Sequence, residues 1–137
     1  DEWFHVAATY NGVGGSSAQN GIKIYVNGVR SDTTDSTLNT YTAMHNTTEP
    51  FRIGAYTVGQ ISPPGNADEV AIFNSELSSG DITAIYNSGT PQSLDSYSSL
   101  VSWWRFEEGS GTTAADSGTG GNNGTLINGV TFSTDVP

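Results

Sequence analysis

Trp3-Phe4-His5-Val6-Ala7-Ala8-Thr9-Tyr10-Asn11-Gly12 decides the fold class. Trp3, His5, Ala7 and Thr9 alternate with Phe4, Val6, Ala8 and Tyr10. Successive side chains of a strand point to opposite faces, so a period of two is a strand signal. Both faces carry apolar groups. The stretch therefore predicts a strand inside a sandwich, with neighbours on both sides, ended by Asn11-Gly12.

Downstream, a Gly/Ser-rich loop over residues 12–20 leads to a second strand, Ile22-Lys23-Ile24-Tyr25-Val26. Asn27-Gly28 supplies the positive φ angles of a two-residue hairpin, and Val29-Arg30 starts the return strand. Residues 31–49 are mostly Ser, Thr and Asp and predict a long loop or a weak edge strand. Phe51 to Tyr56 predicts a strand, Pro63-Pro64-Gly65 a turn, and Ala67 to Phe73 a strand with Asp68 and Glu69 on opposite faces.

Ser78 with Asp81 three residues on is a capping box. It starts the one helix, whose inner face carries Ile82, Ile85 and Tyr86 and whose end is Asn87-Ser88-Gly89. Residues 90–98 read as a linker. Leu100 to Glu107 is the most aromatic strand, with Trp103 and Trp104 facing opposite ways. The Gly-rich residues 109–124 predict coil. Thr125-Leu126-Ile127 and Val130-Thr131-Phe132 flank Asn128-Gly129, a further hairpin signal. Many short strands and one short helix make an all-β antiparallel sandwich.

The chain has 137 residues, enough for about one domain. Fourteen carboxylates against four Lys and Arg give a net charge of −10. That excludes nucleic acid, which needs a basic patch, and disfavours anionic membranes. No apolar run approaches the roughly 18 residues of a membrane span, so no membrane insertion is expected. There is no Cys, hence no disulfide and no thiolate metal site. A Cys-free, Lys-poor, Ser/Thr/Asn/Gly-rich surface reads as extracellular, or as the surface of a cell or virion. The chain opens inside a strand, which predicts a processed product or an excerpt.

Five segments together resemble the laminin-G-like, concanavalin-A-like jelly-roll domains. They are residues 3–12, Ile22 to Gly28, Phe51-Arg52-Ile53-Gly54, Asp68 to Asn74 with Leu77-Ser78 and Ile82-Ile85-Tyr86, and Trp104 to Gly111 running on through Asp116 to Leu126. The resemblance implies an all-β antiparallel jelly-roll β-sandwich with one short helix. It also implies a shifted order. Residues 1–89 resemble the closing part of such a sandwich, 90–98 link, and 99–137 resemble the opening part. Three arrangements fit that order: a piece of a tandem array, a strand-sharing unit completed by another copy, or a self-contained permutant. The first two are favoured.

The carboxylates do not spell a hydrolase. A retaining glycosidase sets two of them about 5 Å apart across the scissile bond. Here Asp68-Glu69 is followed by Val-Ala-Ile-Phe, and Glu107-Glu108 are adjacent at a strand end. Neither His5 nor His45 stands in a nucleophile pattern. The expectation is a protein that is not an enzyme.

Calcium takes oxygen ligands from carboxylates, amides and carbonyls on a bent loop. Residues 116–125 offer Asp116 and Asn122, and the resemblance brings Asp68 beside them, so a structural Ca2+ held by Asp116, Asn122 and Asp68 is expected. The alternative is a Gly-rich connection in which Asp116 caps an Asx turn. Sugar rings stack on aromatic faces, which makes Tyr41, Tyr56 and Tyr97, in or beside polar loops, the candidate ligand-binding residues. The resemblance implies a non-catalytic adhesion or carbohydrate-binding module whose partner is a glycan or a surface protein. The alternative is a structural repeat of a fibre, filament or virion decoration that meets further copies of itself.

Overall fold

The computed structural model describes residues 2–32, 41, 47–55 and 64–137. The chain divides into two compact units. One holds Asp1–Asn46 and Phe73–Ser99 with Pro137; the other holds Thr47–Ile72 and Leu100–Val136.

In the first unit, β1 (Val6–Tyr10), β2 (Ile22–Val26) and β3 (Val29–Arg30) form an antiparallel sheet in that order. The register pairs Val6 with Val26, Ala8 with Ile24 and Tyr10 with Ile22 on one face. Ala7 with Tyr25 and Thr9 with Lys23 share the other. Asn27 and Gly28 sit at φ 49° and 75°, the left-handed pair that a tight hairpin turn requires. The Asn27 side chain extends the ladder by accepting the His5 N–H at 3.0 Å. Beyond β3, Asp32 Oδ1 accepts the Ile24 N–H at 3.0 Å and so replaces the next strand residue. Arg30 grips that carboxylate through Nε and Nη2, each at 2.8 Å.

Helix α1 (Ser79–Tyr86) covers the Tyr25 face. Both capping-box bonds form: Ser78 Oγ accepts the Asp81 N–H, and Asp81 accepts the Ser78 N–H. Tyr25, Leu77 and Ile82 make the buried cluster, with Ala7, Phe73, Ile85 and Tyr97 packed against it. Gly28 is required where the hairpin meets the helix: a Cβ there would lie 2.9 Å from the Tyr86 ring. Thr83 Oγ1 donates to the Gly28 carbonyl at 3.1 Å and holds the two together.

β1 departs from its expected coverage. It is a strand only over Val6–Tyr10, and among the described strands it pairs with β2 alone. Its Tyr25-side face is covered by the helix, whereas Val6 on the opposite face is 67% exposed.

In the second unit, β4 (Val70–Phe73), whose first three residues belong here, pairs with β5 (Leu100–Trp104). β6 (Thr113–Ala114) pairs antiparallel with β7 (Gly124–Thr125). Four expectations are corrected. Residues 51–55 are not a strand, because Gly54 at φ 75° turns the chain and Arg52 folds back onto Glu49 at 3.0 Å. The strand at 67–73 starts only at Val70, since Glu69 sits at φ 52°. Residues 109–124 are not all coil, because β6 and the first residue of β7 lie inside them. The Asn128-Gly129 turn forms, at φ 59° and 82°, but no hairpin flanks it, for β7 takes β6 as its partner.

Trp103 and Trp104 are both buried rather than one in and one out. The Gly-rich loop after β6 lies directly on β5. Ser117 N–H donates to the Trp103 carbonyl at 2.8 Å and Gly120 N–H to Val101 at 2.7 Å. Gly118 and Gly120 allow that approach: a Cβ on either would come within 3 Å of the Val101 carbonyl oxygen.

Candidate functional site

The strand β5 organises the chemistry of the second unit. The Trp103 indole N–H donates to Glu69 Oε2 at 2.5 Å. The Arg105 guanidinium lies 5.1 Å from the centre of the Trp103 ring, within cation–π range. Arg105 Nε stands 3.6 Å from Glu69 Oε1, and Nη2 stands 3.8 Å from Glu107. One guanidinium thus answers two carboxylates while stacked on an indole.

Burial pushes the Glu69 carboxyl up, against the Trp103 hydrogen bond and the Arg105 charge, which pull it down. Burial also raises Asp68, with the Glu107 charge adding to it. Glu69 and Phe106 hold left-handed φ of 52° and 58°, uncommon for long side chains and a sign that the surroundings impose them. Glu108 accepts the Ala115 N–H at 2.6 Å. A two-carboxylate glycosidase needs one free carboxylate nucleophile or base facing one protonated acid. Here Glu69 and Glu108 are bound to the protein's own donors, and Glu107 stands beside Arg105.

Trp104 faces a different environment. Its indole N–H donates to the Asn122 carbonyl at 2.8 Å. The Phe51 ring lies nearly parallel to it, with centroids 5.8 Å apart and planes 14° apart. Trp104 is 6% exposed and Phe51 63% exposed. The result is a flat aromatic surface, open on its outer side and backed by a fixed indole. The sequence reading missed Phe51 because a strand was expected there, and a Phe in a short apolar run carries no mark of exposure.

Of the predicted calcium ligands, Asp116 and Asn122 are hydrogen-bonded to one another. Asp116 Oδ1 accepts the N–H groups of Trp103 and Gly118, each at 2.8 Å. Its Oδ2 accepts the Asn122 N–H at 2.8 Å. The Asn122 amide donates to Ser102 Oγ at 2.9 Å. Burial opposes the Asp116 charge, but these backbone donors outweigh it and hold the carboxyl below its usual range. The Asp68 carboxylate accepts from the Glu69 backbone N–H and lies within the influence of the Glu107 and Arg105 charges. Among the described residues no three His, Asp or Glu side chains form a metal-binding group. Asp116 clamps the Gly-rich loop onto β5 through these three backbone N–H groups, the Asx-type role that was the alternative.

Of the predicted ligand-binding tyrosines, Tyr41 and Tyr97 lie among the described residues. Tyr41 meets Tyr10 edge to face, with centroids 5.9 Å apart. Tyr97 packs on Phe73 at 5.8 Å, beside the buried cluster of the first unit. Tyr56 lies outside the described residues. Among the described residues no helix is long and apolar enough to cross a membrane.

No curated protein and no solved structure gives a significant match to the chain. A laminin-G family described as the concanavalin A-like lectin/glucanases superfamily matches residues 1–83, which takes in the first three resembling segments and most of the fourth. That match spans more than half of the chain, and with its antiparallel strands and one short helix the chain belongs to this superfamily of all-β jelly-roll sandwiches.

Proposed function

We propose that the chain is a non-catalytic extracellular module that binds carbohydrate in adhesion. The observation that carries this reading is the Phe51 ring, 63% exposed and stacked on the buried Trp104. A pyranose presents an apolar C–H face that stacks on such a ring, and a backing indole fixes the ring at no further entropic cost. The net charge of −10 favours a neutral glycan over a sulfated or uronic one. Tyr41 is the second candidate platform. The engagement of Glu69 by Trp103 and Arg105 supports binding without turnover. The test is binding to an array of neutral oligosaccharides. Phe51→Ala should weaken the strongest signal at least about tenfold, or 1.4 kcal/mol. Absence of binding to any glycan would overturn the reading.

A second reading, a structural unit that meets further copies of itself, is favoured by one observation. The β1-β2-β3 sheet exposes an apolar face, with Val6 67% and Val29 69% exposed.

A further inference from the structure

We propose that Asn128 is a modification site: its side-chain amide deamidates through a cyclic imide with Gly129, while the fold protects the same dipeptide elsewhere in the chain. Asn-Gly occurs five times, with Asn at positions 11, 20, 27, 123 and 128. Gly has no Cβ to crowd its amide nitrogen, so the dipeptide by itself makes all five reactive.

Water is the only co-reactant. The Gly129 nitrogen gives its proton to hydroxide and attacks Asn128 Cγ. A C–N bond forms, the Cγ–Nδ2 bond breaks, and ammonia leaves with a proton from water. One water then opens the imide at either carbonyl, giving aspartate or isoaspartate. The net change is amide plus water to carboxylate plus ammonia. Each event adds one negative charge to the net −10. The isoaspartyl form also routes the main chain through Cβ, which lengthens the turn by one atom.

Ring closure needs the Gly nitrogen behind the Asn side-chain carbonyl. A turn or a paired strand must open before the chain reaches that geometry, so the rate follows the population of locally opened backbone. The five pairs differ in what opening breaks. Asn27 and Asn128 make the direct comparison, because each shares a left-handed φ pair with its Gly: 49° and 75° against 59° and 82°. The Asn27 N–H donates to the His5 carbonyl at 2.8 Å, and its Oδ1 accepts the His5 N–H at 3.0 Å. β2 and β3 flank that turn, Gly28 is packed on the Tyr86 ring, and the Gly28 carbonyl accepts from Thr83. Around Asn128 the holding contacts are few. Among the described residues no strand pair flanks its turn and no hydrogen bond engages its side chain. Residues 127–130 are all exposed. The Val130 N–H closes the turn on the Ile127 carbonyl at 3.5 Å, beyond the usual range of an N–H···O bond.

The other three pairs are held as well. Asn123 Oδ1 accepts the Asp116 N–H at 2.9 Å, and Gly124 pairs with Ala114. Asn11 Oδ1 accepts the Val13 N–H at 3.0 Å, and the Asn11 N–H donates to the Gly21 carbonyl at 3.1 Å. Gly21, which follows Asn20, is buried at the end of the 3-10 turn Ala18–Gly21 and packed on the Asn11 side chain.

The test is peptide mapping by mass spectrometry of the whole chain incubated at mildly alkaline pH, once folded and once in urea. Isoaspartyl methyltransferase counts the isoaspartate. In the folded chain Asn128 should gain acid at least about tenfold faster than any of the other four, and in urea that lead should shrink to less than about threefold. Asn128→Gln, which would need a larger ring, should remove the main acidic species from ion exchange. Another Asn-Gly that reacts as fast as Asn128 in the folded chain overturns the proposal. So does a lead that persists in urea, which would make sequence rather than fold its cause, and so does an acidic species that survives Asn128→Gln.

Discussion

The Trp103 indole N–H meets the Glu69 carboxylate at 2.5 Å, and that bond holds a half-buried charge in place beside Arg105. Burial raises the Glu69 carboxyl above its ordinary value of 4.5. The folded chain then holds the proton more tightly than the unfolded chain does. This contribution to stability is fully present below the unfolded value and is lost as pH rises through the raised folded value. Glu69→Gln keeps an oxygen acceptor for Trp103 and removes the charge. Chemical denaturation from pH 4 to pH 7, at roughly unit steps, should show a flatter profile for the variant across the weakly acidic range. An unchanged slope would contradict this role for Glu69.

Asp116 carries the opposite sign. Its carboxyl is held low by the N–H groups of Trp103, Asn122 and Gly118. Its contribution is present above the ordinary value of 3.8 and fades as pH falls through the depressed folded value. Asp116→Ala leaves three backbone donors without their acceptor and should cost about 2–4 kcal/mol in urea denaturation. A chelator should leave the Tm of the wild-type chain unchanged. A drop in Tm with chelator that vanishes in Asp116→Ala would show a calcium site at Asp116.

Gly118 and Gly121 lie in the same loop and should respond differently. A Cβ on Gly118 would stand 2.5 Å from the Val101 carbonyl oxygen, where only backbone can give way. Gly121 is at φ 64° with open space around it. Gly118→Ala should cost about 3 kcal/mol or more, and Gly121→Ala only the strain of a left-handed alanine, about 1 kcal/mol. Equal losses would mean that the loop does not lie on β5.

The Ser78–Asp81 box makes both of its reciprocal bonds. Ser78→Ala removes the acceptor for the Asp81 N–H and should lower stability by about 1 kcal/mol. Circular dichroism during thermal unfolding checks it, and a loss below a few tenths would show that packing alone positions the helix.

Local chemistry explains which parts of the fold were legible. The alternation in residues 6–10 and 22–26, the Asn27-Gly28 turn and the capping box are written within a few neighbouring residues, and all of them form. The glycines at 118 and 120 were legible only as breakers. Their reason is a close approach to Val101 and Ser102, more than fifteen residues earlier in the chain. Asn128-Gly129 made its turn without a hairpin, because strand pairing depends on a distant partner and β6 was the better one. The same holds for the site. Asp116 was singled out as an oxygen donor, but that its acceptor sites are taken by backbone amides is a fact of three dimensions. Phe51 and Arg105 gain their character from Trp104 and Trp103, roughly fifty residues away for Phe51 and two for Arg105.

Saturation-transfer NMR on a mixture of the chain with a neutral oligosaccharide selected from the array tests the central claim most directly, because one spectrum reports both contact and turnover. The account predicts transfer from the protein to the C–H face of one sugar ring, lost in Phe51→Ala and kept in Glu69→Gln, with no new reducing-end signal over a day. New reducing ends that disappear in Glu69→Gln would contradict it, as would a transfer pattern that Phe51→Ala leaves unchanged.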